Sequence, residues 1–176
     1  GIDLMGVSMH KACGPTGMGF LYGRHDILEK LNPLILGGET VSDVMMPHEI
    51  KLLPPPAKFE AGLQNYAGAI ASGATIDYLS SVGMKNIHEH ELKLSETLMK
   101  GLSDLGDRVS VLGPEDPKKR AALAAIDLHN VNPHEVAILL DDMANIMLRS
   151  GYHCTHAFHH SLELDQGTLR PSWYLY

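Results

Sequence analysis

The chain has 176 residues, 44% of them apolar and 20% charged, with a formal net charge of −7. That suits an ordinary globular protein with room for one domain, or one domain and part of another. The acidic balance and the missing Lys/Arg stripe argue against a nucleic-acid partner. No apolar run approaches the roughly eighteen residues a membrane span needs, and no basic-then-apolar leader opens the chain.

Residues 1–8 and 17–23 each predict a strand. Asp26 is placed to cap a short helix through Leu31, which Pro33 ends. Residues 33–65 are loop-rich, and the three prolines at 54–56 forbid regular helix and disfavour a central strand. From residue 66 to 82 small residues on one side and larger apolar ones at helical spacing predict a closely packed helix, ended by Gly83. A second helix is expected over 86–105, with Ile87, Leu94, Leu98, Leu102 and Leu105 on one face and Gly106 stopping it.

Residues 108–112 and 122–129 then read as strands. The basic cluster Lys118-Lys119-Arg120 between them follows an acidic segment and reads as a solvated loop. Asn132 as N-cap, Pro133 at the first helical position and Glu135 in the first turn mark a helix start. A strand over 145–151, a short helix over 157–164 and a last strand over 168–176 complete the chain. The expected class is α/β. The expected division is 1–65, a connecting helix 66–83, and a small α/β domain 84–176.

Cys13 and Cys154 do not make a disulfide framework, so a reducing, cytoplasmic setting is the default. Lys11 stands between two predicted strands in Ser8-Met-His10-Lys11-Ala-Cys-Gly-Pro-Thr-Gly-Met-Gly. The glycines permit tight backbone and close approach to something bulky, and a lysine amine there can form an imine with a carbonyl cofactor. The same residues also read as a surface lysine in a glycine turn, and the Gly-Lys-Ser/Thr order of a P-loop is absent.

The segment Ser-x-His-Lys-x-x-Gly-Pro-x-Gly-x-Gly-x-Leu-Tyr resembles the cofactor-lysine segment of the class V aminotransferases, with further likeness at 58–65 and 76–91. The resemblance covers nearly the whole chain. It implies an aspartate-aminotransferase-like fold type I enzyme dependent on pyridoxal 5'-phosphate, with Lys11 as the Schiff-base lysine and Ser8 and His10 at the cofactor phosphate. In that family the other phosphate loop, the ring-stacking histidine and the aspartate at the pyridine nitrogen precede the lysine. The chain is therefore expected to be the C-terminal portion of such an enzyme.

The segment 148–160, Leu-Arg-Ser-Gly-Tyr-His-Cys-Thr-His-Ala-Phe-His-His, concentrates chemistry. Arg149 and His153 can supply cationic field to lower the Cys154 thiol pKa. A buried inert cysteine and a zinc site drawn from His153, Cys154, His156, His159 and His160 are the rival readings. The pattern Arg-x-Gly-x-His-Cys resembles the cysteine-bearing loop of the group II (SUF-type) cysteine desulfurases.

That resemblance implies Cys154 as the sulfur-accepting nucleophile. It makes Arg170 the anchor of the substrate carboxylate, with Arg149 also on the substrate side. L-cysteine would be the substrate, a sulfur-acceptor or scaffold protein of iron–sulfur assembly the partner, and a homodimer the assembly. Leu63 departs from the family, which often has Thr there to reach the phosphate of the other subunit. Tyr152 and Cys13 depart more mildly. A selenocysteine lyase, another class V enzyme, a non-catalytic dimerising fragment and a zinc module are the alternatives.

Overall fold

The computed structural model describes residues 1–47 and 49–175, so the end of the last expected strand, at 176, lies outside the described residues. The chain divides into two compact units, Gly1–Ser81 and Val82–Tyr176.

In the first unit β1 (Leu4–Ser8) and β2 (Gly19–Gly23) form an antiparallel hairpin in register from Leu4↔Gly23 to Ser8↔Gly19. Between them Met9–Ala12 makes one 3₁₀ turn, anchored by the buried Met9 and ended at Cys13 in the left-handed region. The backbone bonds Met9 N–Met18 O (2.9 Å) and Gly14 N–Met9 O (2.8 Å) pull this loop onto the hairpin.

The next helix, α1, covers His25–Leu28 and is shorter than expected. Asp26 lies in its first turn rather than at the cap. Its carboxylate is taken by Arg24 (2.9 Å), which also reaches Asp3 (2.9 Å). The buried Lys58 ammonium instead holds the carbonyls of Glu29 (3.0 Å) and Leu31 (2.7 Å).

The loop-rich expectation for 33–65 needs correction. Val41–Met45 (β3) and Glu49–Leu52 (β4) pair antiparallel with a bulge between Val41 and Asp43. Two short runs of mixed apolar and polar residues suffice for a hairpin when the prolines fall outside them. Helix α2 (Tyr66–Val82) follows, its start satisfied by Asn65 Oδ1 accepting from the Gly68 amide at 2.9 Å.

The second unit runs α3 (Met84–Ser103), β5 (Val109–Leu112), β6 (Ala125–Leu128), α4 (Pro133–Ala144), β7 (Arg149–Gly151), α5 (His156–Ser161) and β8 (Thr168–Arg170). The strands form one antiparallel sheet in the order β5-β6-β8-β7. Ala124, Ile126 and Leu169 are its buried centre, covered by Leu98 and Leu102 of α3, Val136 and Leu140 of α4, and Trp173. Asn132 caps α4 as expected, its side chain accepting from the His134 amide at 2.9 Å.

Strand β7 is shorter than the expected 145–151 because Asn145 takes a left-handed conformation that ends α4. The three-residue β8 lies between β6 and β7, and this interior place puts Arg170 inside the sheet.

Candidate active site

In the first unit Ser8 ends β1, and His10 and Lys11 sit on the 3₁₀ turn that follows. All three are exposed, and none of their side chains has a hydrogen-bond or ionic partner among the described residues. A free amine beside a free hydroxyl and an imidazole, on a backbone pinned at both ends, is a donor set that fits a phosphorylated carbonyl compound. The glycines, however, serve the hairpin itself. A Cβ on Gly14 would lie 2.8 Å from the Met9 carbonyl oxygen, and one on Gly19 would lie 2.5 Å from that of Val7. Gly14 and Gly19 are needed for the chain's own close approach, and Gly17, with nothing near a Cβ, for its positive φ of 71°. Leu63, at the position where a hydroxyl was expected, is 87% exposed.

In the second unit the chain leaves β7 at Gly151 and reverses over Tyr152–Thr155. The Thr155 amide donates to the Tyr152 carbonyl at 2.8 Å, and His153 (φ 51°) and Cys154 (φ 66°) both have positive φ. Two successive left-handed residues other than glycine are costly, about 1–3 kcal/mol each. The turn presents Cys154 exposed and unbridged.

Strands β7 and β8 meet with Gly151 against Gly167, where any Cβ on Gly167 would fall 2.4 Å from the Gly151 carbonyl carbon. This contact sets the register Gly151↔Thr168, Ser150↔Leu169 and Arg149↔Arg170. Cross-strand partners share a sheet face. The two arginines are therefore neighbours, and neither has an ion pair among the described residues. Arg170 Nε is buried with no hydrogen-bond partner. Two arginines paired across the sheet, one with an orphaned buried donor, fit a carboxylate.

His153 Nε2 donates to the Thr168 carbonyl at 3.0 Å. Burial pushes its pKa below the ordinary 6.5, and the nearby Arg170, His159 and Arg149 push it further down, against the Thr168 bond. His153 is thus uncharged at neutral pH. The downward shift works against the positive field expected of this ring. A neutral ring with Nε2 donating keeps Nδ1 as a free proton acceptor.

The remaining histidines do not converge. His159 turns inward between Thr155 and Thr168, while His156 and His160 pack on the Tyr152 ring with centroids 4.6 and 5.3 Å away. Among the described residues no group of three or more His, Cys, Asp or Glu side chains is placed to hold a metal ion. Thr155 and Thr168, which hold the turn together with His159, were not singled out from the sequence, and His159 was named there only as a possible zinc ligand. The only local signal is the four-residue spacing of Thr155 and His159 at a helix start.

A family model described as aminotransferase class-V matches residues 1–176. The chain belongs to the class-V aminotransferase family. Enzymes of this family depend on pyridoxal phosphate. This class-V chain is 41% identical to a probable cysteine desulfurase of Synechocystis over 99% of its length and 41% of the relative. It is 35% identical to the cysteine desulfurase of Haloferax volcanii over 99% of its length and 40% of the relative.

The apo cysteine desulfurase of Thermococcus onnurineus superposes with a TM-score of 0.85 at 38% identity, over 99% of this chain and 42% of that one. The cysteine desulfurase CsdA of Escherichia coli, in an S-sulfonic acid form, gives 0.80 at 29% identity, over 98% and 41%. The class-V chain spans about two-fifths of the length of these relatives. Its mixed α/β fold is that of part of a fold type I enzyme, as the motif resemblance implied.

Proposed function

We propose that this chain is part of a cysteine desulfurase of group II that takes sulfur from L-cysteine, leaving alanine and a persulfide on Cys154. The observation that carries this reading is the exposed Cys154 at a strained turn, five residues beyond Arg149, which is paired across the sheet with Arg170, neither arginine having an ion pair among the described residues. Relatives named cysteine desulfurases support it.

Ser8, His10 and Lys11 are the residues that would hold pyridoxal phosphate, Lys11 through its amine and the other two at the phosphate. When bound, that group stabilises the negative charge released at the substrate α-carbon. Arg170 and Arg149 orient the substrate carboxylate through paired hydrogen bonds. Lys11 removes the α-proton. Cys154 attacks as the thiolate, the form that is nucleophilic, and His153 Nδ1 can take the thiol proton. A sulfur–sulfur bond forms as the substrate carbon–sulfur bond breaks, and the electron pair and a proton end on the carbon that becomes the alanine methyl.

The persulfide would pass to an acceptor or scaffold protein of iron–sulfur assembly. The two free cysteines suit a reducing compartment such as the cytoplasm. A homodimer is part of the reading, with Leu63 unable to offer a hydroxyl to a neighbouring subunit.

The test is mass spectrometry of the Cys154 peptide after incubation with pyridoxal phosphate and L-cysteine and alkylation without reductant. One added sulfur, lost in Lys11→Ala, is expected. An unmodified peptide with cysteine consumed would move the assignment to a lyase or transaminase. Faster release of selenide from selenocysteine, independent of Cys154, would move it to a selenocysteine lyase.

A further inference from the structure

We infer that His159 is a positioning residue. The buried relay Thr155–His159–Thr168 fixes the Cys154 turn against the strand carrying Arg170, and so governs the rate of sulfur transfer to Cys154. This rests on the desulfurase reading of Cys154 above.

His159 is 2% exposed and Thr168 is fully buried. The His159 ring uses both nitrogens. Nδ1 lies 3.0 Å from the Thr155 carbonyl and 3.1 Å from its hydroxyl, while Nε2 lies 3.0 Å from the Thr168 hydroxyl. A carbonyl only accepts, so Nδ1 carries the proton and Nε2 accepts from Thr168.

Thr155 makes no side-chain cap to its own helix; its hydroxyl donates to the Tyr152 carbonyl at 2.7 Å. The ring also packs against Tyr152 and His153, with centroids 5.6 and 5.9 Å away. One imidazole thus contacts both ends of the turn and the strand position two residues before Arg170.

Helix α5 has only six residues and cannot fix the turn alone. An apolar side chain would fill the same space without direction. A buried ring satisfied at both nitrogens specifies one orientation. Attack on a sulfur held through Arg170 needs that precision, since an error of about 1 Å costs roughly 100-fold in rate.

The decisive variant is the double substitution His159→Leu with Thr168→Val. Removing both partners avoids leaving a lone buried hydroxyl, so the fold should be kept, which thermal unfolding checks. In the protein as its source makes it, loaded with pyridoxal phosphate, two readouts are taken. Exchange of the Thr155 amide, which donates to Tyr152, should accelerate about tenfold or more as the turn loosens. The kcat for persulfide formation should fall about 10- to 100-fold, with the KM for L-cysteine within about twofold because Arg170 is untouched.

Unchanged exchange, or faster exchange with unchanged kcat, overturns the inference. Faster exchange in a protein whose wild type forms no persulfide leaves His159 as the residue that holds the turn and sinks the desulfurase reading instead.

Discussion

Arg149 and Arg170 are directly opposed across β7 and β8, and neither has an ionic partner among the described residues. Like charges opposite one another in a sheet destabilise it by roughly 0.2–1 kcal/mol. Such a pair makes physical sense where an anion is to be received. On the proposed reading, the cost borne in the resting protein would be recovered when a carboxylate binds.

Arg149→Met is therefore expected to raise stability by up to about 0.5–1 kcal/mol while weakening substrate use. Urea unfolding and steady-state kinetics with L-cysteine check the two signs together. Arg170→Lys keeps the charge and loses the planar fork, and a drop in kcat/KM of about tenfold or more is expected. An undiminished kcat/KM would remove Arg170 from the carboxylate site.

Cys154 has φ 66°, a conformation that suits glycine better than cysteine. Cys154→Gly should be neutral to stabilising by about 1 kcal/mol, and Cys154→Val destabilising by about 1–3 kcal/mol. Both should form no persulfide. Melting temperatures of the pair separate backbone strain from chemistry.

The pKa of His153 is lower folded than unfolded, first through burial. The unfolded chain then binds more protons below the ordinary 6.5, so stability rises with pH in that window. The His153 contribution is present above 6.5 and is lost as pH falls through the lowered folded value. Melting temperature followed from pH 7.5 to about pH 5 should decline less steeply in His153→Gln, whose amide can still donate to Thr168 but does not titrate. An identical slope would show that His153 is not the group responsible.

Lys58 is 5% exposed and donates to two carbonyls at the end of α1. Lys58→Met should cost about 1.5–3 kcal/mol, because a buried, charged hydrogen-bond donor to two carbonyls is removed. Chemical denaturation reports this without any need for activity.

Lys11 makes no contact that holds the fold, so Lys11→Ala should change stability by less than about 0.5 kcal/mol. Borohydride reduction of the loaded protein should attach the cofactor to the Lys11 peptide in wild type. Attachment persisting in Lys11→Ala would assign the lysine role elsewhere.

Local chemistry made much of this legible in the chain itself. The Asn132-Pro133 start of α4, the helix of small residues over 66–82 and the strand–lysine–glycine–strand order depend on neighbours a few residues away. Periodicity and turn chemistry report those directly. The Arg-x-Gly-x-His-Cys spacing likewise marked the turn before its geometry was known.

Three-dimensional pairing settled the rest. Nothing local says that Arg149 meets Arg170, twenty-one positions away, since that register comes from Gly151 passing against Gly167. Nothing local says that, of five histidine and cysteine side chains in eight residues, His159 turns inward and His153 is held neutral. Both outcomes follow from burial, which raises the cost of charge and demands a partner for every polar atom, and burial is a property of the folded chain.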